Sequence, residues 1–168
     1  PPRSSSSAAS DVYKRQDQIP MTDTNLYNAA LHECFLRLYK SFTFQDVDNV
    51  LTKMAENNIN KDIVTYHEIL KIYSRSGDFN KCMTFFNDMI DRDKLKPNIT
   101  TFNRLMKCCR YSNDINDAKE ILRLMKNDFN VNPDVYTYIE LIYLYTQVCI
   151  IYIHDIQLKI LEISYDIS

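Results

Sequence analysis

Apolar residues Val64, Tyr66, Ile69, Leu70 and Tyr73 fall at two-, three- and one-residue steps that trace a single stripe on a helix, the pattern of an element with one buried face. Ser76-Gly77-Asp78 interrupts the stripe, and Gly77, the chain's only glycine, suits the left-handed conformation that ends a helix. A second stripe follows through Phe79, Cys82, Met83, Phe86 and Met89, until Lys96-Pro97-Asn98 closes the unit because proline cannot continue a helix. The pattern predicts a hairpin of two helices.

The hairpin recurs. Phe102, Leu105, Met106 and Cys109 make the next first helix, Ser112-Asn113-Asp114 the turn, and Ile115, Ala118, Ile121, Leu122 and Met125 the second helix, ending at Asn132-Pro133-Asp134. An earlier copy carries Tyr27, Ala30, Leu31 and Cys34, then Phe44, Val47, Val50, Leu51 and Met54. Tyr66, Phe102 and Tyr138 stand 36 residues apart (102 minus 66, 138 minus 102), as do Pro97 and Pro133, and Asp62, Asn98 and Asp134. From Tyr27 to Tyr66 the step is 39 residues, and the surplus is expected before Phe44, in a turn where insertion costs little. A period longer than a heptad and shorter than a domain marks a supersecondary unit in tandem, so function should sit at positions that recur with it. The expected units are 24–62, 63–98, 99–134 and a partial 135–147. One hairpin cannot bury both of its apolar faces, so copies must stack. The expected fold is all-α, an α-α superhelix or right-handed solenoid of antiparallel helix hairpins, with the aliphatic, aromatic and Met positions as core.

Both ends depart from this pattern. Residues 1–16 are rich in Ser, Ala and Pro, and Asp11-Val12-Tyr13-Lys14-Arg15-Gln16 matches the translation of a sequencing adapter ending GAT GTG TAT AAG AGA CAG. The segment reads as adapter sequence or a disordered tail. Residues 148–168 are apolar and lack the turn that the repeat calls for. Val148-Cys149 can be encoded GTATGT, an intron start, so this tail reads either as unspliced sequence or as a degenerate capping helix.

Charge does not favour a general polyanion binder. The net charge of −2 becomes −4 when Arg3, Lys14, Arg15 and Asp11 are set aside. No uninterrupted apolar run reaches the length of about 18 residues that a membrane span requires, and no membrane partner is expected. Cys34, Cys82, Cys108, Cys109 and Cys149 show neither CxxC spacing nor nearby His companions. They read as reduced thiols in an intracellular compartment, Cys82 taking the small-residue slot that Ala118 fills one period later. No metal or cofactor is expected.

The recurring residues carry a family resemblance. Val64-Thr65-Tyr66-His67-Glu68-Ile69-Leu70, Ser76-Gly77-Asp78-Phe79, Phe85-Phe86-Asn87-Asp88-Met89 and Lys96-Pro97-Asn98 resemble the pentatricopeptide repeat, as do Thr100-Thr101-Phe102-Asn103-Arg104-Leu105-Met106 and Asn132-Pro133-Asp134. The resemblance covers roughly Thr24 to Tyr145, about three and a half repeats. It implies a scaffold that binds single-stranded RNA sequence-selectively, one base per repeat, and acts in organellar RNA processing, stability, editing or translation, in mitochondria or plastids, with other RNA-processing proteins as further partners. By the same resemblance the residue after the aromatic and the closing residue read the base edge together. These are Asn28 with Asp62, His67 with Asn98, and Asn103 with Asp134.

Asn with Asp implies uracil, hence a U-x-U tract, with the base of His67 and Asn98 unassigned. Ile139, after Tyr138 in the fourth copy, cannot hydrogen-bond. Val64 and Thr100 take the positions implied to sandwich bases, where Asn25 is an unusual occupant and Tyr136 could stack. Arg75 takes that of a phosphate contact, while Arg37, Lys71 and Arg110 could serve only if they face the same way. Apart from the resemblance, Asn offers both donor and acceptor on a short side chain, and a neighbouring Asp, accepting a bond, can fix which way that amide faces.

Two other classes fit the residues less well. A tetratricopeptide-like protein-binding scaffold would also be a helix-pair array, yet its Trp and Leu-Gly pattern at a period of about 34 is missing. An enzyme is not expected. His32-Glu33 lacks the second His of a zinc-protease helix, one glycine cannot build a phosphate loop, and His32, His67 and His154 are scattered.

Overall fold

The computed structural model describes residues 23–37 and 44–166, with side chains as far as residue 159. The expectation for residues 1–16 and the surplus before Phe44 lie outside the described residues. Among the described residues there is no strand. The helices are α1 (Thr24–Arg37), α2 (Phe44–Glu56), α3 (Ile63–Tyr73), α4 (Phe79–Asn87), α5 (Ile99–Ser112), α6 (Ile115–Arg123) and α7 (Val135–Asp166). The chain is an all-α protein of helix hairpins. It divides into two compact units, the boundary falling after Thr65.

In the first unit α1 packs against α2. Tyr27, Leu31 and Cys34 from one helix and Val47, Val50 and Met54 from the other are buried, as their stripes predict. The Tyr27 hydroxyl accepts from Asn57 Nδ2 at 2.9 Å, so the ring is buried without stranding its polar tip.

In the second unit α5 packs against α4, α6 and α7. Its Phe102, Leu105, Met106, Cys108 and Cys109 are all buried. Phe102 lies 5.7 Å from Phe86 and 5.6 Å from Phe129, centroid to centroid. Tyr66, the counterpart of Phe102 one copy earlier, donates its hydroxyl to Asp93 Oδ2 at 2.6 Å and accepts from Arg92 at 3.2 Å.

The period is also visible in how the helices stop. Asn58, Lys94 and Asn130 take left-handed φ values of 54°, 53° and 52°, and the N–H groups of Leu95 and Val131 bond back to the carbonyls of Met89 and Met125 at 2.9 and 2.8 Å. Those bonds satisfy carbonyls that a helix end otherwise leaves open. Gly77 at φ 69° and Asn113 at φ 57° end the first helices in the same way. Gly77 has a second reason to be glycine. A Cβ there would lie 3.1 Å from both Ser112 N and Tyr111 C.

The fourth copy departs from the hairpin pattern. Helix α7 continues through Gln147 without a turn, so no hairpin partner returns over it among the described residues. Thr137, Leu141 and Leu144 are buried, but Tyr138, Ile139 and Tyr145 are exposed, so the expectation that the repeat's aromatic positions are core fails in this copy. In the second copy the equivalent Tyr73 is covered because Phe85 of the following helix stacks on it at 5.1 Å. One helix bears on the membrane expectation. Val135–Lys159, 25 residues holding an 18-residue window of mean hydropathy 1.3, is long and apolar enough to cross a membrane by length and composition. The criterion of an uninterrupted run passes over it because Thr137, Glu140, Thr146, Gln147, His154 and Asp155 divide it.

Candidate nucleic-acid interface

Each closing residue of a copy is also the N-cap of the next copy's first helix. Asp62 Oδ1 accepts from the Thr65 N–H at 2.7 Å, Asn98 Oδ1 from the Thr101 N–H at 3.1 Å, and Asp134 Oδ1 from the Thr137 N–H at 2.9 Å. In return each threonine hydroxyl accepts the cap residue's own N–H, at 3.2, 3.3 and 3.1 Å. This is a capping box with Thr at its third position, and it satisfies two otherwise open N–H groups per helix. The cap therefore holds the side chain of each closing residue in a fixed place.

The residue after each aromatic reaches that cap. Asn28 donates Nδ2 to Asp62 Oδ1 at 3.1 Å, and Asn103 donates Nδ2 to Asp134 Oδ1 at 3.1 Å and to Oδ2 at 3.3 Å. Two of the three sequence-nominated pairs are thus brought into contact. In the third pair Thr101 stands between the members: its hydroxyl oxygen lies 3.0 Å from His67 Nε2 and 3.3 Å from Asn98 Oδ1.

Burial would raise the Asp62 and Asp134 carboxyls. The bonds they accept from Thr65 and Asn28, and from Thr137 and Asn103, outweigh it and hold both below the usual carboxylate range. Both are therefore acceptors at neutral pH. Each pair combines a carboxylate that only accepts with an amide that donates and accepts, a set able to address the edge of an unpaired base.

Around Asn103 the surface forms a cavity of about 300 Å³ lined by Thr100, Asn103, Arg104, Lys107, Tyr136 and Glu140. Thr100 is half-buried on its wall, and Tyr136 is 71% exposed. Val64, the other nominated sandwiching residue, is 48% exposed, unlike the remainder of its stripe. Arg75 lies on the 3-10 turn Ser74–Ser76 that follows α3 and is partly exposed. The reserve cations are engaged within the protein. Arg37 pairs with Glu33 at 3.5 Å, Lys71 with Glu68 at 3.1 Å and Arg110 with Glu140 at 2.7 Å, the last an ion pair whose angle is not that of a hydrogen bond.

Arg104 and Lys107 were not singled out in the sequence: the positions one period before and after Arg104 hold Glu68 and Glu140, and Lys107, though it falls one period after Lys71, gives way to Tyr143 in the fourth copy. Thr65, Thr101 and Thr137 were not singled out either. Their signal was present, since they too stand 36 residues apart (101 minus 65, 137 minus 101), but a buried Thr at a helix start reads first as a cap.

Tandem helix hairpins, whose caps double as hydrogen-bond partners for a polar residue of the preceding copy, define a helical-repeat protein. A profile of the pentatricopeptide repeat domain matches residues 49–111, and a profile of the single repeat matches residues 100–128. By these two matches residues 49–128 belong to the pentatricopeptide repeat family. The chain is 31% identical over 78 residues to a mitochondrial pentatricopeptide repeat-containing protein of Arabidopsis thaliana, covering 46% of this chain and 12% of that protein. It is 34% identical over 74 residues to a chloroplastic one from the same plant, covering 44% of this chain and 15% of that protein. A third Arabidopsis pentatricopeptide repeat-containing protein is 25% identical over 122 residues, 72% of this chain and 13% of the relative. The chain thus spans about an eighth of the length of these relatives.

Proposed function

We propose that these repeats bind single-stranded RNA sequence-selectively, with Asn28 and Asp62 addressing one base and Asn103 and Asp134 another two repeats on. The recurrence of one bond, amide to capping carboxylate at 3.1 Å in both copies, carries this reading. A solvated polar residue at a helix start needs no such partner, and the same partner arises twice. Uracil suits each pair. Its O4 and O2 accept and its N3–H donates, so the amide can answer both, while the carboxylate fixes the order of the amide's donor and acceptor. Tyr136 of the fourth copy supplies an aromatic face beside the third copy's Asn103, and Arg104 and Lys107 line the same cavity as cationic groups for the sugar-phosphate backbone. Val64 and Arg75 serve their own copy in the corresponding roles. The base facing His67 and Asn98 is not assigned. Binding acts by occupancy or by guiding other factors on an organellar transcript, a setting supported by the mitochondrial and chloroplastic relatives. No catalytic step is assigned to these residues.

The test is a titration of U-x-U-containing oligoribonucleotides, oligocytidine and an unrelated peptide at several salt concentrations. The expected result is tighter binding of the uridine ligand with a shallow salt dependence, since hydrogen bonds and stacking rather than net charge select it. Equal affinity for both oligonucleotides removes the base-reading assignment. Binding of the peptide alone favours the protein scaffold, to which the exposed Tyr and Ile side chains of α7 would also be suited.

A further inference from the structure

Resting on the base-reading assignment of Asn103, we propose that Thr137 is a positioning residue, whose hydroxyl fixes the direction of the Asn103 amide and thereby the choice between uracil and cytosine. Thr137 has one hydroxyl proton and two acceptors within reach, Asn103 Oδ1 at 2.6 Å and Asp134 Oδ1 at 3.0 Å. Two oxygens 2.6 Å apart repel unless a proton lies between them, so the proton goes to Asn103. Turning the amide over would set Asn103 Oδ1 against the Asp134 carboxylate, one acceptor facing another. The amide is held at both ends, its oxygen by Thr137 and its nitrogen by Asp134. Its remaining donor and acceptor capacity then faces outward in one order. Uracil and cytosine differ by the reversal of that order, since uracil presents an acceptor at O4 and a donor at N3, and cytosine a donor at N4 and an acceptor at N3.

The first copy shows that capping and amide-holding are separable. Thr65 caps its helix in the same manner, but its hydroxyl points to Asp62 Oδ1 at 2.8 Å. Asn28 Oδ1 is buried there without a hydrogen-bond partner. Thr65 and Thr137 are both fully buried. A substitution that removes either hydroxyl therefore disturbs a cap equally, while only the one at Thr137 releases an amide oxygen.

The experiment compares Thr137→Val, Thr137→Ser and Thr65→Val with the unsubstituted chain. Oligoribonucleotides carrying U or C opposite the third copy measure preference, and exchange of the Asn103 side-chain amide protons with water, by NMR without RNA, measures the hold directly. Thr137→Val should reduce the preference for U over C by roughly threefold to tenfold, the range of one hydrogen bond, and should speed the amide exchange. Thr137→Ser should restore both. Thr65→Val should lower stability to a similar extent and leave the third-copy preference and the Asn103 exchange as they were. Unchanged preference together with unchanged exchange in Thr137→Val overturns the proposal. If the unsubstituted chain does not discriminate U from C, the base-reading assignment fails, and the exchange measurement alone decides: faster exchange in Thr137→Val upholds the positioning role, and an unaltered rate overturns it.

Discussion

Asn103 donates its side-chain amide to Asp134 at 3.1 and 3.3 Å, joining the fifth residue of α5 to the N-cap of α7. The bond crosses from one repeat to the next, so each reading pair is completed only when the following copy is in place. Asn103→Thr with Asp134 retained shortens the side chain and replaces its amide by a hydroxyl. The third copy's preference should move from uracil toward guanine, as the family resemblance implies, by roughly tenfold, within the range for discrimination by a well-placed polar group. Selection from a randomised oligoribonucleotide pool reads it, and an unaltered preference removes the assignment of this pair.

The capping carboxylates give the protein an acid limb. The folded-state pKa values of Asp62 and Asp134 are depressed, so the stability they contribute is present above the unfolded carboxyl value of about 3.9 and is lost as pH falls through the lower folded values. Urea midpoints should hold steady from neutrality to about pH 5 and fall below about pH 4. Asn98 caps the intervening helix with an amide that does not titrate. Asp62→Asn together with Asp134→Asn should therefore fold and show a shallower acid limb. An acid limb as steep as that of the unsubstituted chain would assign it to other carboxylates.

Gly77→Ala should destabilise the second unit by about 1 to 3 kcal/mol, since it combines a left-handed backbone with a tight approach to a neighbouring backbone. The approach is to Tyr111 and Ser112, at 3.1 Å from the added carbon. Chemical denaturation measures it. A loss within error of zero would mean that the turn shifts freely away from the end of α5.

Thiol chemistry should distinguish one cysteine from four. Cys34, Cys82, Cys108 and Cys109 are free and buried, and Cys149 is exposed. Burial, aided by the charge of Asp46, pushes the Cys34 thiol up to about 12. Cys82 is raised through its hydrogen bond with Cys108 and by burial, and Cys109 chiefly by burial. At pH 8 a maleimide should label one site per native molecule, at Cys149, and all five after denaturation. Rapid native labelling at any of the other four would contradict their burial.

Much of the fold could be read in advance because its causes are local. The two stripes of each copy, the left-handed stop at Gly77 and the prolines that close each unit act within a few residues, so periodicity and capping chemistry predict them. Lys94 was not legible as a helix stop. It carries the same left-handed φ as Asn58 and Asn130 but has no intrinsic preference for it, and the repeat's packing imposes that conformation. The missing turn after Gln147 has a local cause too: residues 148–153 contain neither Gly, Asn nor Pro, and a helix needs a reason to end.

The sequence by itself determined the repeat, its 36-residue step, the N-caps and the identity of the polar residues that recur beside the aromatics. It did so because helix propensity, amphipathic spacing and capping depend on neighbours along the chain. Only the tertiary structure decided which of those polar groups meet: that Asn28 and Asn103 reach their caps, that Thr101 stands between His67 and Asn98, that Glu140 takes Arg110, and that Thr137, unlike Thr65, reaches an amide oxygen. Those contacts join residues about thirty positions apart and depend on tenths of an ångström, because a hydrogen bond weakens steeply with distance and angle. No pattern of residue types carries that information.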